Sequence, residues 1–508
     1  MSQQKKQWGA IAIMIALFAM IAFVTNLCTP MATIIKNQGN ISNFVAQIGN
    51  FGNFFAYLIM GIPAGMLISK FGYKKTALIG LAVGIVGILI QWLSGLMDVE
   101  KNLYGVFFVY LTGAFIAGFC MCILNCVVNP MLNLLGGGGK SGNQLIQTGG
   151  VFNSTAAVAC YILMGALIGD QSKAVISKAT PALMIALGIF VIAFIIILRT
   201  KIEEPQQEPV RRKDIKEALK YRHFKLGALA IFLYMGIEVG VPNLVQQYLG
   251  TDTQATLDQK KTLLESYENK QLDLVATVDQ YIRIDTESKA NKQAADTLFA
   301  SSNKETVAGL DKERSKIKYR IENEEITSKT IAETKPGLGI AAGTVGMLVA
   351  VYWFMMLIGR LFGASLGSKF SARAMITTVS TLTLLVVLFG IFAPSDVTVN
   401  FPGIDWGNLA IKWQEVPVGI FAFLMVGLFT SVMWGGIFNM AVEGLGKYTA
   451  IASGIFMTMV VGCAVMIGIQ MGIADEFGYI NSSWVIVFCA AYLLYYALLG
   501  SRIKKTEK

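Results

Sequence analysis

Apolar runs long enough to cross a bilayer, which takes about 20 helical residues, alternate with short polar breaks along nearly the whole chain. They predict twelve spans: 8–34, 45–68, 76–97, 104–134, 144–168 and 180–198, then 226–249, 340–367, 374–393, 416–442, 449–473 and 481–500. Two interruptions are longer than the rest. Residues 199–225 form a basic connector holding Arg211, Arg212, Lys213, Lys216, Lys220 and Arg222, with an amphipathic pattern after Pro209. Residues 251–335 are rich in Lys, Glu, Asp, Gln and Ala. Their apolar positions recur at Leu257, Leu264, Tyr267, Leu274, Val278 and Ile282, then at Val307, Leu310, Ile317 and Ile321. This spacing predicts an extramembrane helical hairpin packed along one seam. If continuous, arms of about 30 to 40 residues would stand on the order of 45–60 Å clear of the bilayer.

The predicted fold is an all-α membrane protein of twelve transmembrane helices. Its organisation is an N-terminal six-helix half (1–198), a connector (199–225), a C-terminal six-helix half (226–250 and 336–508) and the insert (251–335). Two six-span halves imply a substrate site between them at the membrane midplane.

Composition agrees: of 508 residues 54% are apolar and 15% charged, against about 25% charged in soluble globular proteins. This excludes a disordered chain and an ordinary soluble enzyme. The net charge of +10 does not point to nucleic acid, because the basic residues sit between the apolar runs. One side collects Lys5, Lys6, Lys70, Lys74, Lys75, Lys140, the connector cluster, Lys369, Arg373, Lys447, Arg502, Lys504, Lys505 and Lys508. The opposite short loops hold Lys36, Lys101, Lys173, Lys178 and Lys412. The positive-inside rule therefore places both termini and the connector in the cytoplasm of a cell (inner) membrane, with an uncleaved first span. The seven cysteines lie inside apolar stretches, without a CxxC pair, as small packing residues.

Few residues in the spans carry chemistry. Glu238 is the carboxylate placed mid-span, within Tyr234-Met-Gly-Ile-Glu-Val-Gly-Val-Pro-Asn243, where two glycines and a proline are expected to open the helix. A buried acid that binds a proton loses its costly charge, which is what a proton-coupled carrier needs. Carboxamides offer donors and acceptors suited to hydroxyl-rich solutes. They occur at Asn26, Asn50, Asn53, Asn125, Asn129, Asn133, Asn153, Asn243, Asn439 and Gln470, while Tyr234, Tyr352, Trp353 and Trp434 could stack on a sugar ring. His223, the sole histidine, reads as a solvated connector residue, and Gly136 to Gly139 as a flexible turn; neither a metal, a cofactor nor an enzyme constellation is implied.

The stretch Gly61-Ile-Pro-Ala-Gly65 through Lys70-Phe-Gly72-Tyr-Lys74-Lys75 resembles the loop motif between spans 2 and 3 of the major facilitator superfamily, with Ser69 and Lys70 where many members have Asp and Arg. Its Gly-Tyr-Lys-Lys form is more specifically similar to the fucose:proton symporter family of sugar transporters. So are Asn129-Pro130, Phe152-Asn153-Ser154, Ile358-Gly-Arg360, Ser431-Val-Met-Trp434 and Glu443-Gly-Leu-Gly-Lys447-Tyr-Thr449. The resemblance implies alternating access by rocking of two halves. Gly65, Lys70, Gly72, Lys74, Lys75, Arg360, Glu443 and Lys447 would then stabilise one closed face. Family acids in spans 1 and 4 read Thr29 and Asn125 here, and a span 5 glutamine reads Gly150, so proton coupling falls to Glu238. The expected function is proton-coupled import of a monosaccharide or similar polyhydroxylated solute, bound by Asn26, Asn125, Asn129, Asn153, Asn243, Tyr234, Trp434 and Gln470. The alternatives are a facilitator or exchanger of another small polar solute, or a transporter-like receptor whose hairpin docks a protein partner. The partners implied are a solute, protons and the lipid bilayer.

Overall fold

The computed structural model describes residues 8–39, 43–97, 103–137, 139–168, 180–200, 212–289, 292–340, 342–367, 369–405 and 410–503. The first six predicted spans fall on α1 (Trp8–Gly39), α2 (Asn43–Ser94), α3 (Leu103–Leu135), α4 (Gly139–Ile168) and α5 (Thr180–Arg199), with α2 carrying spans 2 and 3. The two arms of α2 meet at Gly72, whose backbone (φ 79°, ψ 174°) lies in a region that only glycine enters freely. One arm packs through Gly61 on Thr458 and Gly454, the other through Gly84 and Gly87 on α3. Small residues at such crossings let helix backbones approach closely.

After the short connector helix α6 (Arg212–Ala218) comes α7 (Arg222–Gly250), then the insert. Spans 8 and 9 are α13 (Ala342–Leu366) and α14 (Ala372–Phe392). Span 10 is divided into α15 (Val418–Thr430) and α16 (Met433–Val442), and span 11 into α17 (Thr449–Met459) and α18 (Gly462–Phe477). Span 12 comprises α19 (Tyr479–Ser482), α20 (Trp484–Tyr495) and a closing turn, Tyr496–Gly500. Among the described residues ten helical stretches are long and apolar enough to cross a membrane. One of these, Phe54–Ser94, holds two spans, and α4 carries a further one. With both counted, the spans are twelve.

The insert is helical and folds back on itself, but its arms are not continuous. It is built from α8 (Gln254–Glu268), α9 (Leu274–Lys289), α10 (Lys292–Ala300), α11 (Lys304–Glu322) and α12 (Ser328–Glu333). The turn after α8 uses Lys270 at φ 60°. Leu264, Val278, Ile282, Leu310, Ile317 and Ile321, all read as seam positions, share one small core with Leu263 and Tyr281. The longest described helix of the insert, α11, has 19 residues, about 28 Å at 1.5 Å per residue, short of the straight arms expected. Burying the seam on four sides removes more apolar surface from water than a two-helix stalk could. At its root the chain leaves and returns side by side: Gly337 N donates to Asp252 O (2.8 Å) and Ile340 N to Leu249 O (2.8 Å).

The loop between spans 9 and 10 holds an antiparallel hairpin that the apolar pattern did not predict. Strands β1 (Thr398–Asp405) and β2 (Ala410–Pro417) pair in the register Val399 with Val416 and Gly403 with Lys412.

Candidate functional site

Helix α7 is unbroken over 29 residues, contrary to the expected opening around Glu238. Its glycines serve packing instead: a Cβ on Gly236 would collide with Met466, and one on Gly240 would lie 2.8 Å from Gln470 Oε1. Pro242 does have a local effect, since it has no N–H for the carbonyl four residues earlier, that of Glu238. The Tyr352 hydroxyl takes that carbonyl instead, at 2.9 Å. The same substitution recurs in α3, where Pro130 leaves the Cys126 carbonyl to the Ser453 hydroxyl of α17, at 3.3 Å.

Across from Glu238 stands Arg360 of α13, its Nη2 3.7 Å from Glu238 Oε1, with both side chains largely buried. Arg360 Nη1 donates to three acceptors on α4: Gly150 O (2.9 Å), Asn153 Oδ1 (2.9 Å) and Ser154 Oγ (2.7 Å). Asn153 Nδ2 in turn donates to Phe18 O of α1 (2.8 Å). A chain of polar contacts therefore runs from Glu238 in the C-terminal spans to α1 in the N-terminal ones. Gly150 makes room for it, because a Cβ there would lie 3.2 Å from Arg360 Cδ. Arg360 fits this role because its planar fork presents several donors at once.

A second cluster adjoins the first. The Tyr234 and Trp434 ring centroids are 6.1 Å apart, and Tyr234 also interacts with the Glu238 carboxyl. Trp434 Nε1 donates to Asn129 Oδ1 on α3 at 3.3 Å. Asn129 Nδ2 reaches Asn125 O (3.1 Å), and Asn125 Nδ2 reaches the Tyr57 hydroxyl (3.0 Å). Six expected site residues, Glu238, Tyr234, Trp434, Asn125, Asn129 and Asn153, are thus joined in two adjacent networks that bridge the halves. Gln470 is buried on α18 against Gly240, and its Nε2 has no hydrogen-bond partner among the described residues. Asn243 is half-buried, about one turn beyond Glu238 on α7. The side chains of Asn26 and Thr29 lie outside the described residues.

Apart from Arg360, which joins Glu238, the residues expected to close one face lie toward the end that bears α6. Gly65 meets Gly454 of α17 across the halves. Lys74 Nζ donates to Leu198 O at the end of α5 (3.1 Å), as basic side chains do at helix C-termini. Lys70 is exposed beside the Phe71 ring, and Lys75 is exposed. The Lys447 side chain is outside the described residues. Glu443 acts through its backbone: its carbonyl lies 2.9 Å from His223 Nε2. His223 is fully buried rather than solvated, because it begins α7 beneath the Glu443 loop and packs edge-on against Tyr221. Further links on this side are Gln147 Nε2 to Val432 O (3.1 Å) and the approach of Gly367 to Gln144.

Sequence reading named Arg360 as a gate but missed it as the counter-ion of Glu238. It also missed Tyr57 and Ser154. A mid-span Arg and a mid-span Glu in one half are the signal that could have found the pair.

The Major Facilitator Superfamily profile matches residues 11–259. A glucose/galactose transporter of Brucella abortus is 24% identical over 509 residues, covering 99% of this chain and 96% of that one. The solved structure of an E. coli fucose:proton symporter superposes with a TM-score of 0.66 at 17% identity, over 97% of this chain and 98% of the other. The chain has the major facilitator fold, and its first half resembles that superfamily in sequence. An L-fucose-proton symporter of E. coli, 25% identical over 266 residues, matches 47% of this chain and 58% of its own length. The two networks join side chains of the first six spans to side chains of the last six.

Proposed function

We propose that this major facilitator protein imports a neutral monosaccharide by proton symport, with α6 and the connector on the cytoplasmic side. The observation that carries the reading is the Glu238–Arg360 pair and its three bonds to α4. The opposite charges cancel, so the surrounding Asn125, Asn129, Asn153 and Trp434 offer hydrogen bonds and a ring face to a solute without charge. The named activity of the Brucella relative supports a sugar of the glucose or galactose type. Protonation of Glu238 removes the attraction that holds Arg360 Nη2 and leaves Arg360 held by its bonds to α4. The proton and the solute together then change the balance between the closed face and its opening.

A facilitator is the second reading, favoured by the pair being neutral without any proton. Uptake of labelled fucose, galactose, glucose and mannose into proteoliposomes, with and without an inward proton gradient, separates the two. Gradient-driven accumulation of one sugar is expected. Equilibration alone would indicate the facilitator, and no flux of any sugar would sink the sugar reading.

A further inference from the structure

The β1–β2 hairpin has two unlike faces. On one, Phe401 packs on Phe421 of α15 (centroids 6.0 Å apart), Val416 is fully buried, and Gly403 is so close to Thr344 of α13 that no Cβ would fit. On the other, Trp413 and Ile411 are 66% and 67% exposed. We infer that this outer face lies in the headgroup region of the leaflet on the insert side, with Trp413 as an interfacial anchor.

Depth carries the argument. Thr344 lies in the first turn of α13, the helix of span 8. Gly403 sits on it, and Trp413 pairs with Pro402, one position away. Trp413 is therefore level with the start of an apolar span, where tryptophan's apolar body and polar N–H are both accommodated. β2 also runs without a break into α15 at Pro417 and Val418, so at about 3.3 Å per residue Trp413 stands no more than roughly 17 Å from that helix. At the same end of the molecule the exposed rings of Phe392, closing α14, and Trp484, opening α20, meet at 6.2 Å. Three exposed aromatic side chains from separate elements thus stand at this end of the molecule, the composition of an interfacial belt.

The test is the tryptophan emission of the full chain in phosphatidylcholine nanodiscs, taken as wild type minus Trp413→Phe. Lipids brominated on the acyl chain close to the headgroup are expected to remove most of this difference signal, while aqueous iodide lowers it several-fold less. A difference signal quenched by iodide and untouched by bromolipid would overturn the assignment, as would one that changes only with protein-to-lipid ratio, the mark of contact between copies. Because Trp413→Phe could perturb folding, a nitroxide on Ile411→Cys gives a second reading. Collisions with oxygen should exceed those with a water-soluble nickel chelate; the reverse order overturns the proposal.

Discussion

At the residue scale, the Glu238–Arg360 pair predicts unequal costs for removing its members. Glu238→Gln leaves Arg360 with its three acceptors on α4, so the fold should tolerate it while gradient-driven accumulation is lost and equilibration survives. Arg360→Met strands a buried carboxylate and frees α4, and should cost about 3–5 kcal/mol, the range for breaking a buried pair from one side. Unfolding of both variants in detergent, read beside uptake, checks the order. Equal destabilisation would show that Arg360 is held by Glu238 rather than by α4. Glu238 was legible as a mid-span acid, but its partner lies more than a hundred residues away and is set by the crossing of α7 and α13. No sequence period connects the two.

At the element scale, the turn in α2 and the insert each rest on a specific local device. Gly72→Ala forces a side chain into a conformation costing about 1–3 kcal/mol, and should lower thermal stability without altering which solutes are transported. The insert is held by Lys260, 2% exposed, whose Nζ bonds Asp252 (2.6 Å) and Asp285 (2.9 Å) and lies over the Tyr281 ring. Burial opposes the Lys260 charge, but Tyr281, Asp285 and Asp252 outweigh it and raise its pKa above the ordinary value. A raised lysine pKa stabilises fully below the unfolded value of about 10.4 and loses that contribution as pH climbs through the folded one. Tyr281, raised by burial, resists ionisation when folded and so works in the same direction. Hydroxyl-radical footprinting of Leu263, Leu264 and Tyr281 should therefore stay flat through neutral pH and rise only in the strongly alkaline range; loss of protection near neutrality would refute it. The seam residues were legible from their helical spacing, except Val307, which is exposed. That they close into five short helices was not, because a seam pattern does not specify where an arm folds over.

At the scale of the whole molecule, the side-by-side root of the insert makes it separable from transport. Excising residues 254–335 leaves Leu338 to Ile340 paired with Tyr248, Leu249 and Thr251, so uptake should persist at a rate near wild type. Loss of uptake with intact folding would point instead to a receptor or docking role for the insert. The approach of Gly367 to Gln144 across the halves predicts that Gln144→Cys with Gly367→Cys forms a disulfide that blocks uptake until reduced. The six described native cysteines are buried, so background cross-linking should be low. Uptake unaffected by the disulfide would mean that these helix ends do not separate during the cycle.

The sequence by itself determined the number and place of the spans, the helical character of the insert and the identity of the polar residues within the membrane. These follow from local quantities: run length, periodicity and the cost of burying charge in lipid. The tertiary structure decided which of those polar residues meet. It supplied Arg360 to Glu238, Tyr352 to the carbonyl freed by Pro242, Asn129 to Trp434 and Glu443 to the buried His223. Hydrogen bonds and ion pairs act over a few ångströms, and only the packing of helices distant in sequence brings such partners within that reach.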